Sequence, residues 1–448
     1  MRILRSQDGS IMRDIEKIKQ ELCIFADTVT EVMYEKTKEV FGEPQSPLES
    51  VKRIVNDVRE KGDDALEYYS EKFDRVTLPA EDFRVEDSEI EDAYKRVSSN
   101  FISAIKNARE NIRVFQEYIR VREPKPFFSN GAKINVKYEP IENIGIYIPG
   151  GSASYPSTVL MNAIPARVAG VKKITVVSPP GADGNISPER LVACKESYVD
   201  EVYKIGGVHV IAALTFGTNT IQKVDKIVGP GNIFVTLAKR EVFGYVGIDI
   251  LAGPSEVLII TDDIENCAYV ASDLLSQAEH APGISMLVTC SEELANKVQD
   301  EISKQLKNLS RCDSIKESID KFGFVIITKD LNEAVDISNA LAPEHLQVVV
   351  RNNEEGVLSR IKHAGAIFVG PFTPVAVGDY IAGPSHVLPT GGTARFFSGL
   401  SVNDFLKRTS VITYSKDVLE SSARDIITIA EAEGLEAHAQ SIRIRVDK

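Results

Sequence analysis

Six histidines punctuate this chain, His209, His280, His345, His363, His386 and His438, and four of them stand in a compact motif with a carboxylate, amide or hydroxyl. Gln277-Ala278-Glu279-His280 closes the apolar-periodic stretch ASDLLSQAEH. Positions i and i+3 of a helix share a face, so Gln277 and His280 can offer an oxygen and a nitrogen to one metal ion while Glu279 points elsewhere. The same residues also read as a polar helix end whose histidine the helix dipole favours. Pro343-Glu344-His345 precedes the apolar run LQVVV. Strand edges are where α/β sheets place catalytic groups. Adjacent Glu and His supply two bases, one to take a proton from a hydroxyl and one to activate water. The plainer alternative is a proline-capped turn with two solvated polar residues.

Gly378-Asp379-Tyr380 and Gly383-Pro384-Ser385-His386 form the third grouping. Its glycines and proline predict a rigid, non-helical path. Asp379 is a hard ligand suited to a divalent cation, and His386 can contact a substrate; otherwise this is a polar surface loop. Glu433-Gly434-Leu435-Glu436-Ala437-His438 is the fourth grouping, and by itself reads as an ordinary exposed tail helix. His363, at a helix–strand junction, reads as structural. His209, in GGVHVIAALTFG, reads either as a buried histidine or as a ligand contact. There is no G-x-G-x-x-G, but two glycine turns, Pro149-Gly150-Gly151-Ser152 and Gly229-Pro230-Gly231-Asn232, follow strand-like runs and precede helices. Such turns leave N–H groups at helix starts, where a pyrophosphate can sit; many glycine turns are purely structural.

These residues need elements to hold them. Residues 1 to about 125 read as helical, with Ser46-Pro47 opening one amphipathic stretch and Asp87 to Arg122 forming another. From Asn143 onward, short β-branched runs alternate with helical stretches: NIGIYIP, KKITVVS, VDEVYKI and DKIVGP, then SEVLIIT, SMLVTC, GFVIIT, LQVVV and GAIFVG. That alternation predicts two α/β units in tandem, each a parallel sheet covered by helices. AGPS occurs at Ala252–Ser255 and again at Ala382–Ser385, which fits either an old duplication or chance. The last fifty or so residues return to helix around the short run VITYS.

Composition narrows the function classes. The chain has 448 residues, 43% hydrophobic and 26% charged, the balance of a folded protein too long for one ordinary core. A net charge of −13 argues against sequence-independent nucleic-acid binding. The N-terminus has no secretory-signal pattern, and no apolar run is long enough to predict a transmembrane helix. The five cysteines, Cys23, Cys194, Cys267, Cys290 and Cys312, are scattered without a C-x-x-C pair, which predicts reduced thiols in the cytosol.

In order, YIPGG, PSTVLMNAIPARVAG, KVDKIVGPGN, AGPSEV, DLLSQAEH, APEHL, GDY with GPSHVLPT, and EGLEAH resemble the ordered signature of histidinol dehydrogenases. The resemblance covers nearly the whole chain, most densely from residue 143 onward. It implies one zinc ion per subunit held by Gln277, His280, Asp379 and His438. The catalytic pair falls on Glu344 and His345. Substrate contacts fall on Ser255, His386 and Glu433 as well as Gln277, His280, His345, Asp379 and His438. Nucleotide contacts fall on Tyr147, His209 and Asn232.

The implied fold is α/β, with two tandem incomplete Rossmann-like units plus a helical N-terminal region and C-terminal tail. The expected division is an N-terminal helical arm (1–25), a first α/β domain (26–142 with 257–400), a nucleotide-side domain (143–256), and a tail (401–448) crossing to a dimer partner. The implied activity is the four-electron, NAD-dependent oxidation of L-histidinol to L-histidine in histidine biosynthesis, by a cytoplasmic homodimer with shared active sites and no nucleic-acid or membrane partner. His345 is expected to take the hydroxyl proton and Glu344 to activate water. His209 departs from the family, which usually reads GGAQAIAAL where this chain reads GGVHVIAAL. An imidazole there implies altered NAD affinity and a pH dependence near the histidine pKa. A relative acting on another small alcohol and a non-catalytic zinc- or nucleotide-binding relative are the alternatives.

Overall fold

The structure, a computed structural model, describes residues 1–8, 11–22, 31–151, 154–280 and 283–446. Ser152 of the first glycine turn, Cys23 and the end of the expected N-terminal arm lie outside the described residues. Strand β1 (Arg2–Arg5) and helix α1 (Ile11–Leu22) open the chain. Helices α2 (Glu31–Phe41), α3 (Pro47–Lys61), α4 (Asp63–Asp74), α5 (Asp87–Arg96) and α6 (Ser99–Ile119) follow. The start of α3 is a capping box: the Ser46 hydroxyl accepts from the Glu49 N–H and the Glu49 carboxylate accepts from the Ser46 N–H, with Pro47 opening the first turn.

After β2 (Phe127–Ser129) and β3 (Ala132–Pro140) comes the first α/β series. It runs β4 (Asn143–Tyr147), α7 (Pro156–Ala169), β5 (Lys173–Ser178), α8 (Pro188–Glu196), β6 (Glu201–Lys204), α9 (Gly207–Phe216), β7 (Lys226–Val228), α10 (Ile233–Val242) and β8 (Gly247–Ile248). The second runs β9 (Ser255–Thr261), α11 (Cys267–Ala278), β10 (Gly283–Thr289), α12 (Glu292–Gln305), α13 (Cys312–Phe322), β11 (Gly323–Ile327), α14 (Leu331–Leu341), β12 (His345–Val349), α15 (Glu354–Arg360), β13 (Ala366–Val369) and α16 (Val375–Tyr380). β14 (Leu406–Thr413), α17 (Lys416–Ala432) and α18 (Glu436–Val446) complete the chain.

The first series forms a five-stranded parallel sheet of order β6-β5-β4-β7-β8, and the second a six-stranded parallel sheet of order β1-β11-β10-β9-β12-β13. Central strands such as β10 are buried along their whole length because helices cover both faces, so they read as unbroken apolar runs. Each sheet reverses its strand order once, between β4 and β7 in one and between β9 and β12 in the other. Those reversals open crevices where ligands bind in α/β folds.

Three features differ from expectation. The N-terminal region is not wholly helical: β1 pairs with β11 as an edge of the six-stranded sheet. A third, antiparallel sheet of order β14-β3-β2 ties residues 406–413 to residues 127–140. The expected grouping of 26–142 with 257–400 also differs from how the cores pack. Val51, Ile54, Leu66, Ile105 and Ile112, from α3, α4 and α6, are buried with the five-stranded sheet, whereas Ile15 and Ile18 of α1 are buried with the six-stranded one. Helix α6 also reaches the second glycine–proline motif: the Asn111 side chain donates to the Ile381 carbonyl at 2.9 Å, and fully buried Gln116 accepts from the Val402 N–H at 2.8 Å.

Candidate functional site

The amino end of β12 carries Glu344 and His345, both buried, against the amino end of β9, where Ser255 and the fully buried Glu256 lie. The strand-edge expectation holds for the edge but not for the usual end, since α/β sheets mostly use the carboxyl ends of their strands. The Glu344 carboxylate accepts from the Ser255 hydroxyl at 2.7 Å and from the Glu256 N–H at 2.9 Å. The Glu256 carboxylate accepts from the Glu344 N–H at 3.2 Å and from the Gly391 N–H at 3.0 Å. Burial pushes Glu256 up to about 8, helped by the nearby Glu344 charge, and pushes Glu344 up to about 7 against the hydrogen bonds that favour its anion.

His345 is fixed in one tautomer. Its Nδ1 lies 3.1 Å from the Glu256 carbonyl, which only accepts, so Nδ1 carries the proton. Nε2 is then an unprotonated base, and it is buried without a hydrogen-bond partner. Burial lowers the His345 pKa, which keeps the ring neutral and ready to take a proton.

Gln277 sits in the last turn of α11, and its amide N–H donates to the Ser255 hydroxyl at 2.9 Å, leaving the amide oxygen for another partner. The His280 N–H bonds the Gln277 carbonyl at 3.2 Å, so the helical turn continues to this residue. The imidazole is open to solvent, yet surrounding protein lowers its pKa, and it lies close enough to Glu344 and His345 to feel their charge. Asp379 likewise feels His345 and Glu344. It lies in the short helix α16 rather than on the non-helical path expected for Gly378-Asp379-Tyr380. His386 Nδ1 is 3.1 Å from the Asp379 carbonyl, and burial pushes its pKa down to about 4.

One chain thus brings together Ser255, Gln277, His280, Glu344, His345, Asp379 and His386. It does not bring in Glu433, exposed just past the end of α17, or His438, exposed on α18; no described hydrogen bond or charge interaction links them to the cluster. No group of three or more His, Cys, Asp or Glu able to hold a metal occurs among the described residues. The open donors, an amide oxygen, an imidazole and a carboxylate, nevertheless suit a zinc ion that still needs a fourth ligand.

The two AGPS copies are not structurally equivalent. Ser255 opens β9, whereas buried Ser385 lies in a loop and donates to the Met161 carbonyl of α7 at 3.0 Å.

The second cluster lies at the carboxyl edge of the five-stranded sheet, at its β4/β7 reversal. Tyr147 ends β4 and its hydroxyl accepts from the Gly207 N–H at 3.3 Å, at the start of α9. Asn232 caps α10, its side-chain oxygen accepting from Phe234 and Val235 N–H groups, so its amide N–H remains for a ligand. Gly229 has φ +106, and a Cβ there would stand 2.3 Å from the Tyr147 carbonyl oxygen, so only glycine lets this turn approach β4. A buried ion pair that sequence reading missed holds the turn: Lys239 donates to the Gly229 carbonyl at 3.0 Å, and Asp249 accepts from the Gly229 N–H at 2.7 Å and pairs with Lys239. Helix starts, a close-packed glycine turn and a free amide donor fit a dinucleotide.

His209 is wholly buried. Its Nε2 is 3.2 Å from the Ser70 hydroxyl, and the Phe73 ring stacks on it at 6.2 Å between centroids. Burial pushes its pKa to about 3, so the expected pH dependence of NAD binding near neutrality is corrected: the imidazole stays uncharged there.

A family model described as histidinol dehydrogenase matches residues 41–446. The histidinol dehydrogenase of Bacillus cereus is 48% identical over 400 residues, covering 89% of this chain and 92% of the relative. That of Clostridium acetobutylicum is 46% identical over 442 residues, covering 97% and 100%. Among solved structures, the histidinol dehydrogenase of Elizabethkingia anophelis superposes with a TM-score of 0.86 at 37% identity, covering 92% of this chain and 96% of that one.

Two predictions follow from this geometry. Unfolded, His209 titrates near 6.5; folded, near 3. The unfolded chain therefore binds more protons between these values, and this residue's share of stability is complete above pH 6.5 and lost as pH falls below it. Between pH 7 and pH 5 the parent should lose roughly 2 kcal/mol more than His209→Gln; equal losses in urea midpoints would refute this. In Glu256→Gln, an amide N–H must face the Glu344 or Gly391 N–H group that the carboxylate now accepts from. Its kcat should fall about ten-fold or more with KM changing less. A lowered melting temperature with kcat intact would mean that Glu256 only stabilises the fold.

Proposed function

The chain belongs to the histidinol dehydrogenase family, and on that premise we propose that it oxidises L-histidinol to L-histidine with NAD, as a cytoplasmic homodimer with one zinc ion per subunit. The observation that carries this reading is the interlocked Glu344–His345 pair, with an unpartnered basic nitrogen on a ring that feels the charge of Asp379.

His345 Nε2 takes the carbinol proton as the alcohol becomes an aldehyde. Glu344, a carboxylate with a raised pKa beside it, accepts a proton from water as the aldehyde is hydrated, while His345 returns its proton to the carbonyl oxygen; the freed Nε2 then takes the hydroxyl proton of the hydrate. When bound, NAD would supply the hydride acceptor for each oxidation and zinc an oriented template with Lewis acidity. Gln277, His280 and Asp379 would hold the metal, with His438 of the tail as the fourth ligand. Ser255, His386 and Glu433 would contact the substrate. Tyr147 and Asn232 would contact the nucleotide, while His209, as placed, would act from beneath Phe73.

Because His438 and Glu433 stand away from their own chain's cluster, the tail reads as completing the site of a second subunit. Its exposed apolar side chains, Ile412, Ile429, Leu435 and Ile444, supply a surface for that contact. Cys194 and Cys267 are buried free thiols, which fits a reducing compartment. No described helix is long and apolar enough to cross a membrane.

The zinc-loaded protein, given L-histidinol and NAD, should form two NADH per histidine; no NADH from histidinol would overturn the substrate. His345→Asn should slow both oxidations by about a hundred-fold or more, whereas Glu344→Gln should spare the alcohol step and slow the aldehyde step. Equal loss in both steps for both variants would remove the division of labour. A chain ending before Glu433 should purify with little zinc by metal analysis, and full zinc retention would refute the ligand role of His438.

A further inference from the structure

The end of α4 holds a carboxylate in three unfavourable circumstances at once. Asp74 is the last residue of that helix, where the dipole disfavours an anion. Its side-chain oxygen Oδ2 is buried and finds no hydrogen-bond partner among the described residues. Burial also pushes its pKa up to about 6. A native chain seldom leaves a buried acceptor unused unless a ligand or water completes it.

The position says which ligand. Asp74 is close enough to Tyr147, at the carboxyl end of β4, for its charge to raise the tyrosine's pKa. Its chain neighbour Phe73 stacks on His209 in the first turn of α9, and Val76 lies 3.5 Å from where a Gly184 Cβ would stand, in the loop after β5. Asp74 therefore sits among the segments that follow β4, β5 and β6, on the crevice assigned above to the dinucleotide. A dinucleotide presents there the donor groups that an unpartnered carboxylate lacks, the paired hydroxyls of a ribose.

We propose that Asp74 accepts the hydroxyls of a ribose of the bound dinucleotide and that it selects NAD over the 2′-phosphorylated form. This rests on the nucleotide reading of the β4/β7 crevice. A carboxylate takes two hydroxyl donors, whereas a 2′-phosphate in the same place brings like charge against it.

The test uses the zinc-loaded full chain and calorimetric titration with NAD and with NADP. In Asp74→Asn, the Kd for NAD should rise about ten- to a hundred-fold, as expected on losing hydrogen bonds to a charged acceptor. NADP binding should hold or improve, so the ratio of the two constants narrows. Asp74→Asn should also unfold in urea at or above the parent midpoint, because no partner is lost and a buried charge is removed. Unchanged NAD affinity, an equal loss for both nucleotides, or a lowered midpoint would each overturn the assignment. A parent protein that binds neither nucleotide would instead overturn the reading of the crevice itself.

Discussion

Two carboxylates buried side by side, Glu256 and Glu344, set the arrangement at the amino edge of the six-stranded sheet. Isolated in an apolar interior, either would be costly to keep. Here each is satisfied by the other's backbone: the Glu256 N–H bonds the Glu344 carboxylate, and the Glu344 N–H bonds the Glu256 carboxylate. The pairing works only in the observed register of β9 on β12, with His345 opposite Val257. It also needs the Gly391 N–H, from a residue at φ +62 that glycine reaches without strain. From this lock, Ser255 carries the order to Gln277, and the Glu256 carbonyl carries it to His345. His345 and Gln277 are consequently held by one network.

The two parallel sheets use opposite edges. At the carboxyl edge of the five-stranded sheet, α9 and α10 present their starts, with N–H groups and positive dipole ends suited to an anion. At the amino edge of the six-stranded sheet, α11, α14 and α16 present their ends beside Gln277, Glu344 and Asp379. That edge suits a cation, whether a metal ion or the amine of a substrate. Hydrogen bonds join the two edges: Thr236 of α10 donates to the Ala252 carbonyl at 3.1 Å, and the Gly253 N–H donates to Thr390 at 2.6 Å. A nucleotide and a cation-bound substrate can then be served from a continuous set of loops.

What the sequence made legible was whatever is written locally. The buried parallel strands are β-branched runs, and Glu344-His345 stands directly before one of them, so both the sheets and the position of this pair could be read. The strand Ala132–Pro140 could not, because AKINVKYEP mixes charge with apolar residues and its pairing partner lies at 406–413. The strand Arg2–Arg5 has four residues and pairs with a segment more than three hundred positions away. Glu256 read only as part of the AGPSEV motif, since its burial depends on Gly391. The Lys239–Asp249 pair was hidden for the same reason: its purpose appears only when Gly229 is folded between them. The ordered family motifs added what local physics left open, the family itself, which residues 41–446 match.

Unsatisfied buried atoms sort differently once their surroundings are considered. His345 Nε2 and His209 Nδ1 are both buried without a partner. Around His345 stand Asp379, His280 and His386, polar groups that a ligand would join. Around His209 stand Tyr69 and Phe73, with Ser70 already bonded to the other ring nitrogen. The first environment sets a buried basic nitrogen among polar groups; the second encloses a neutral ring as part of a core. The imidazole of His209 is therefore accommodated by packing, against the same helix α4 that ends in Asp74.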